Sequence, residues 1–110
     1  MTDKIVVLCT CASPEEADRL ARALVDARLA ACVSVVGGVR SIYRWKGEIE
    51  SAEECLLAIK SSRAHFDSLR EKIEELHSYE VPEVLALPIV DGAASYLEWL
   101  SGNLATGGAE

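Results

Sequence analysis

No apolar run in this 110-residue chain approaches the roughly 20 residues that a membrane-spanning helix needs, so no such span is expected. Positive charge is scarce. Eleven Lys and Arg stand against 18 Asp and Glu, the net charge is -7, and no basic stripe is present. Such a chain repels phosphate backbones, which argues against a nucleic-acid partner. Four cysteines are present, with no CxxC and no paired zinc-ligand spacing. Catalytic motifs are missing too: no Gly-rich phosphate loop, no HExxH and no GxSxG, and Gly37–Gly38 is too short to cradle a phosphate. The chain is therefore not expected to be an enzyme. The first residues, MTDKIVVLCTC, place one basic residue, Lys4, beside Asp3 and ahead of a short Val-rich run. They read as a first strand, not as a secretory leader. The expectation is a cytoplasmic protein in which Cys9, Cys11, Cys32 and Cys55 are reduced thiols.

Half of the residues are hydrophobic, enough for one core. A single domain is expected over residues 1–110, ordered from about 4 to 104. Lys4 to Cys11 reads as a buried strand. Ser13-Pro14-Glu15-Glu16 then opens a helix, with Ser13 as N-cap, Pro14 at the first helical position and Glu16 closing a capping box. Ala17, Leu20, Ala21, Leu24 and Val25 share one helical face. Ala31 to Trp45 is extended, Lys46-Gly47-Glu48 turns the chain, and Ile49 to Lys60 returns. Ser61 and Ser62 are candidate caps for a second helix striped by Phe66, Leu69, Ile73 and Leu76, with His65 on its surface. Val84 to Val90, nearly all apolar, reads as a central or well-covered strand. Ala93, Leu97, Leu100 and Leu104 line a short last helix. Residues 106–110 read as a frayed tail. The order β-α-β-β-α-β is the α+β ferredoxin-like pattern, here with an extra C-terminal helix.

The second strand is too long for such a small globule. Unbroken, Ala31–Trp45 would run roughly 50 Å at about 3.3 Å per residue. A chain of this length has a radius of gyration near ~13 Å. The hairpin must bend at Gly37–Gly38 or project beyond its core. A projecting hairpin exposes strand edges that invite another chain, and closed cyclic assemblies satisfy them. Tyr43 and Trp45, alternating with Arg44 on that strand, suit an interface or a groove. A homo-oligomer is expected.

Several segments, in order, resemble the CutA-type divalent-cation tolerance proteins: VVLCT at Val6–Thr10, LAACV at Leu29–Val33, SIYRWKGEIE at Ser41–Glu50, AIKSS at Ala58–Ser62, HSYEVPE at His77–Glu83, LALPI at Leu85–Ile89 and YLEWL at Tyr96–Leu100. The resemblance implies a ferredoxin-like homotrimer whose long hairpins pair between subunits. It also implies a role in tolerance to divalent metal ions, with copper as a ligand. It places Tyr43, Trp45, Lys60, Tyr79 and Trp99 around a cleft between subunits, where an anion or small molecule would fit.

Candidate metal ligands follow from both readings. Cys9 and Cys11 alternate along one strand and share a face, as a soft ion such as Cu(I) would require. The same residues also serve as small buried hydrophobes. The resemblance makes Cys9 the copper ligand, and Cys11 has no counterpart in its pattern. His77 leaves the second helix. Its imidazole suits a metal or the last helix carbonyls. Where the family pattern has one or two histidines, this chain has Leu76 and then His77. Glu83, after Pro82, is a candidate oxygen ligand or an orienting partner for His77. Metal ions (copper or another divalent cation) and further copies of the chain are thus the expected partners. The alternative is a small-molecule sensing or partner-docking trimer of the PII kind, an analogy of fold alone.

Overall fold

The structure, a computed structural model, describes residues 2–106. The expected tail beyond Thr106 lies outside the described residues. Strand β1 (Lys4–Cys11) leads to helix α1 (Pro14–Asp26), then to the long strands β2 (Cys32–Trp45) and β3 (Glu48–Ser62). A 3-10 turn (Arg63–His65) enters α2 (Phe66–Leu76), followed by β4 (Leu85–Pro88) and α3 (Ala94–Gly102). The four strands form one antiparallel sheet in the order β2-β3-β1-β4. This is the ferredoxin-like arrangement that the element order implies.

Alternation along the strands sets the two faces. Ile5, Val7, Cys9 and Cys11 of β1, with Cys55, Leu57 and Ile59 of β3, turn toward α1 and α2. There they meet Ala17, Leu20 and Leu24 of α1 and Leu69 and Ile73 of α2 to form the main core. A smaller cluster of Ala31, Leu100 and Leu104 seats α3. Helix α1 starts as its sequence dictates. Ser13 Oγ accepts the N–H of Glu16 at 3.2 Å, while the Glu16 carboxylate reaches past the cap to the N–H of Ala12 at 3.1 Å.

The hairpin resolves its length in both ways. Val36 pairs with Leu56, but the next register partner of Glu54 is Val39, so β2 carries an extra residue at Gly37–Gly38. Gly38 takes φ +72°, the left-handed region that glycine enters freely. Beyond this bulge the hairpin outruns β1, whose ladder with β3 ends at Cys11–Cys55. The molecule is accordingly 44 Å long against 25 and 22 Å across. Lys46 (φ 52°) and Gly47 (φ 84°) close the tip, the two positive φ values of a tight hairpin loop.

Three expectations change. The apolar run Val84 to Val90 is not a covered central strand: β4 keeps four residues, lies at the sheet edge, and leaves Leu85 and Leu87 exposed. Its apolar side chains stand on the open face, over which neither α1 nor α2 packs. His65 is buried, not on the surface. Its Nε2–H donates to the carbonyl of Ala105 at 3.0 Å, and its Nδ1 accepts from Ser62 Oγ at 2.6 Å. The serines, accordingly, are not side-chain caps of α2; Ser61 Oγ donates instead to the carbonyl of Leu29 at 2.6 Å.

A buried thiol and imidazole group beside an aromatic cleft

Cys9 and Cys11 project from β1 into the core with no exposed surface. Helix α2 stops at His77, whose N–H still donates to the carbonyl of Ile73 at 2.8 Å while its backbone turns extended. That turn swings the ring back against β1. Nε2–H donates to the carbonyl of Thr10 at 2.8 Å, between the two cysteines, and Nδ1 accepts the N–H of Tyr79 at 3.0 Å. The ring is thus held by backbone on both sides, and it does not bond the last helix carbonyls. One ligand atom each from Cys9, Cys11 and His77 lies within 4.8 Å of the others.

The electrostatics of the group follow from burial and contact. The Cys9 thiol is pushed far above the usual thiol range by its hydrogen bond to Cys11 and then by burial. The same hydrogen bond holds Cys11 below that range, against the opposing effect of burial. In the pair, Cys11 is therefore the thiol that gives up its proton first. Glu16 closes the group from α1. Its Oε2 accepts the N–H of Ser78 at 2.7 Å and lies 3.6 Å from His77 Nδ1. Burial opposes ionisation of Glu16, but the hydrogen bonds from Ser78 and Ala12 outweigh it and hold its carboxyl below the usual range.

Two sulfurs and an imidazole nitrogen are a soft donor set. They fit Cu(I), with Zn²⁺ as the commonest competitor, and they do not suit a hard, oxygen-seeking cation. Of the expected ligands, Cys9 and His77 are brought together. Cys11 takes the third place that the sequence reading gives to Glu83. The i, i+2 spacing of the two cysteines on a buried strand already signals this. Glu16, the carboxylate nearest His77, is concealed in the sequence by its helix-capping role.

Glu83 lies instead along a cleft of about 850 Å³ between the outer half of the hairpin and the segment after α2. Tyr43, Trp45, Glu54, Tyr79 and Pro82 also line it. Tyr79 Oη donates to Glu54 Oε2 at 2.6 Å, and burial together with that carboxylate raises the Tyr79 phenol above its ordinary value.

Lys60 and Trp99 do not line this cleft. Tyr43 registers with Glu50, whereas Lys60 is ten positions further along β3, about 33 Å at strand rise. Lys60 Nζ donates to Ser34 Oγ at 2.6 Å and lies 4.0 Å from Cys32 Sγ. Trp99, on α3, stands with its ring centroid 5.6 Å from that of Tyr96. The five residues expected around one cleft thus divide within a single chain into two groups at opposite ends of the hairpin.

The model of the CutA1 divalent ion tolerance protein family matches residues 5–103. A divalent-cation tolerance protein CutA of Thermus thermophilus is 50% identical over 98 residues, spanning 89% of this chain and 95% of its own. A solved structure of the divalent cation tolerance protein from Thermus thermophilus superposes with a TM-score of 0.91 at 48% identity, over 93% of this chain and 99% of that one. The crystal structure of CutA1 from Oryza sativa gives a TM-score of 0.92 at 41% identity, over 94% and 95%.

Proposed function

The chain belongs to the CutA1 divalent ion tolerance family, and on that premise we propose that it serves metal tolerance by binding copper directly, as a homotrimer, in a reducing compartment. The observation that carries this reading is the convergence of Cys9, Cys11 and His77. The two sulfurs and the imidazole hold the ion. The Thr10 carbonyl fixes the ring by accepting from Nε2–H, the kind of outer partner that orients a metal-binding imidazole. Both ring nitrogens are engaged, Nε2–H with Thr10 and Nδ1 with the Tyr79 N–H, so one of these bonds must yield when the imidazole takes the ion. A bound metal supplies charge that stabilises both thiolates. The reading is one of sequestration; no reaction is assigned to the chain.

The trimer rests on the uncovered faces. Val36, Leu85 and Leu87 expose apolar side chains, and both outer strands of the sheet, β2 and β4, have a free edge within the chain. Pairing with further copies would cover them.

The test is an anaerobic Cu(I) titration of reduced protein against a competing chelator, on wild type, Cys9→Ser, Cys11→Ser and His77→Ala. Stoichiometric binding that each substitution weakens supports the reading. Binding unchanged by all three sinks it. A second reading is favoured by the cleft lined by Tyr43, Trp45 and Tyr79. In that reading the cleft takes a small molecule, as in PII-like sensors. A melting temperature raised by such a compound, and unmoved in Tyr43→Ala, would favour it.

A further inference from the structure

We propose that Cys11 and Cys55 form a reversible cross-strand disulfide that withdraws Cys11 from the metal-binding group. The control over metal rests on the function proposed above; the disulfide itself does not. The two residues are direct register partners at the end of the β1–β3 ladder, and both are free thiols turned into the core. The N–H of Arg63 donates to the carbonyl of Asp3 at 2.9 Å, which sets the ladder's phase. Counted from there, Cys11–Cys55 is a hydrogen-bonded pair, with Cα atoms about 5.5 Å apart. That separation falls in the disulfide range of about 4.4–6.8 Å.

The Cβ atoms of directly opposed residues stand about 4.5–5.5 Å apart, hydrogen-bonded pairs such as this one at the wide end, and a disulfide needs about 3.5–4.5 Å. The strands must therefore close by about 1 Å or more. This position allows it. Cys11 is the last residue of β1, and on the other flank of Cys55 the β2 strand bulges at Gly37–Gly38, so the sheet holds Cys55 less firmly than the residues within the ladder. No other pairing in the described residues competes on these terms. Cys9 faces Leu57, and Cys32 faces Lys60.

With hydrogen peroxide as oxidant the step balances. One thiolate attacks the O–O bond and becomes a sulfenic acid, releasing water after protonation. The second thiol attacks that sulfur, the S–S bond forms, and a second water leaves. Two thiols and one peroxide give one disulfide and two waters. Cys11 already takes part in a sulfur contact with Cys9, so its oxidation removes one of the two sulfurs from the donor set. Cys9 and His77 alone remain.

The experiment treats reduced full-length protein with hydrogen peroxide, alkylates free thiols and maps the digest by mass spectrometry. The expected product links tryptic peptide Ile5–Arg19 to Gly47–Lys60, disappears on dithiothreitol treatment, persists in Cys9→Ser and is absent in Cys55→Ser. Oxidised wild type should bind Cu(I) about tenfold or more weakly than reduced, by analogy with the loss of a supporting ligand. Peroxide-treated Cys55→Ser should keep its affinity. Free thiols throughout, a Cys9–Cys11 bridge, or sulfinic acid in place of the link each overturn the proposal. A normal link in a protein that binds no Cu(I) even when reduced would sink the metal reading and leave the disulfide standing.

Discussion

The Glu16 carboxylate accepts the N–H of Ser78 at 2.7 Å across 62 positions of sequence. One side chain thereby ties the start of α1, through Ala12, to the segment that carries His77. Hydrogen bonds to a charged group contribute about 1.5–3 kcal/mol. Glu16→Gln, which keeps one acceptor, should cost about 1.5 kcal/mol or more at neutral pH, read as the urea midpoint at fixed protein concentration. The sign of its pH dependence follows from the lowered carboxyl. The stabilisation is complete above the ordinary Glu value of about 4.3 and is lost as pH falls through the folded value. The gap between wild type and variant should therefore narrow in acid. A gap that does not change with pH would refute this account.

Tyr79→Phe removes the only side-chain donor to Glu54 among the described residues, a carboxylate that is 7% exposed. A loss of about 1–3 kcal/mol is expected from leaving that acceptor unpartnered. Ultraviolet titration of the folded wild type should show phenols of Tyr79 and Tyr96 ionising above the usual value of about 10, and the variant should show one fewer.

Gly37 and Gly38 separate space from backbone conformation. A Cβ meets nothing within 4 Å at either position, but only Gly38 has a positive φ. Gly38→Ala should cost about 1–2 kcal/mol, the penalty of a side chain in the left-handed region. Gly37→Ala should be nearly neutral. Equal effects would show that the bulge is not what selects glycine at 38.

The proposed copper binding at two thiols must release protons, the more so because the Cys9 thiol is pushed above its usual range. Apparent Cu(I) affinity should rise from about pH 6 to pH 8, and calorimetry in buffers of different ionisation enthalpy should detect the protons. Binding indifferent to pH would mean that the sulfurs are not the ligands.

Leu87 lies half exposed on the open sheet face. Leu87→Glu should bring the sedimentation mass from that of the proposed trimer, three times 11.9 kDa, down to a single chain. A wild type that sediments as one chain at micromolar concentration would remove the trimer.

Local signals made much of this molecule legible. The Ser13–Glu16 cap, the alternation of β1, the Gly37–Gly38 break and the Lys46–Gly47 tip depend on neighbours only a few positions away. What escaped depends on distant ones. VLALPIV reads as covered because a continuous apolar run normally marks burial on both faces, yet neither α1 nor α2 covers the open face of this edge strand. His65 looks like a surface residue of a helix until Ala105, 40 positions on, accepts its ring N–H. Glu16 carries a familiar capping signature that conceals its second partner at Ser78. Cys11 belongs with His77 only once α2 has delivered the ring to β1.

Ala105 also decides where the chain tolerates handling. Its N–H donates to the carbonyl of Arg28 at 2.9 Å and its own carbonyl receives His65, so both backbone polar groups of one residue are anchored. A purification tag joined after Thr106 leaves that anchor in place. Trimming the chain to Leu104 would leave the His65 ring and the Arg28 carbonyl with no partner from this segment, and it would loosen the packing of Leu104 and Leu100 on Ala31. A preparation that ends at Leu104 would thus differ in kind from one that ends at Thr106.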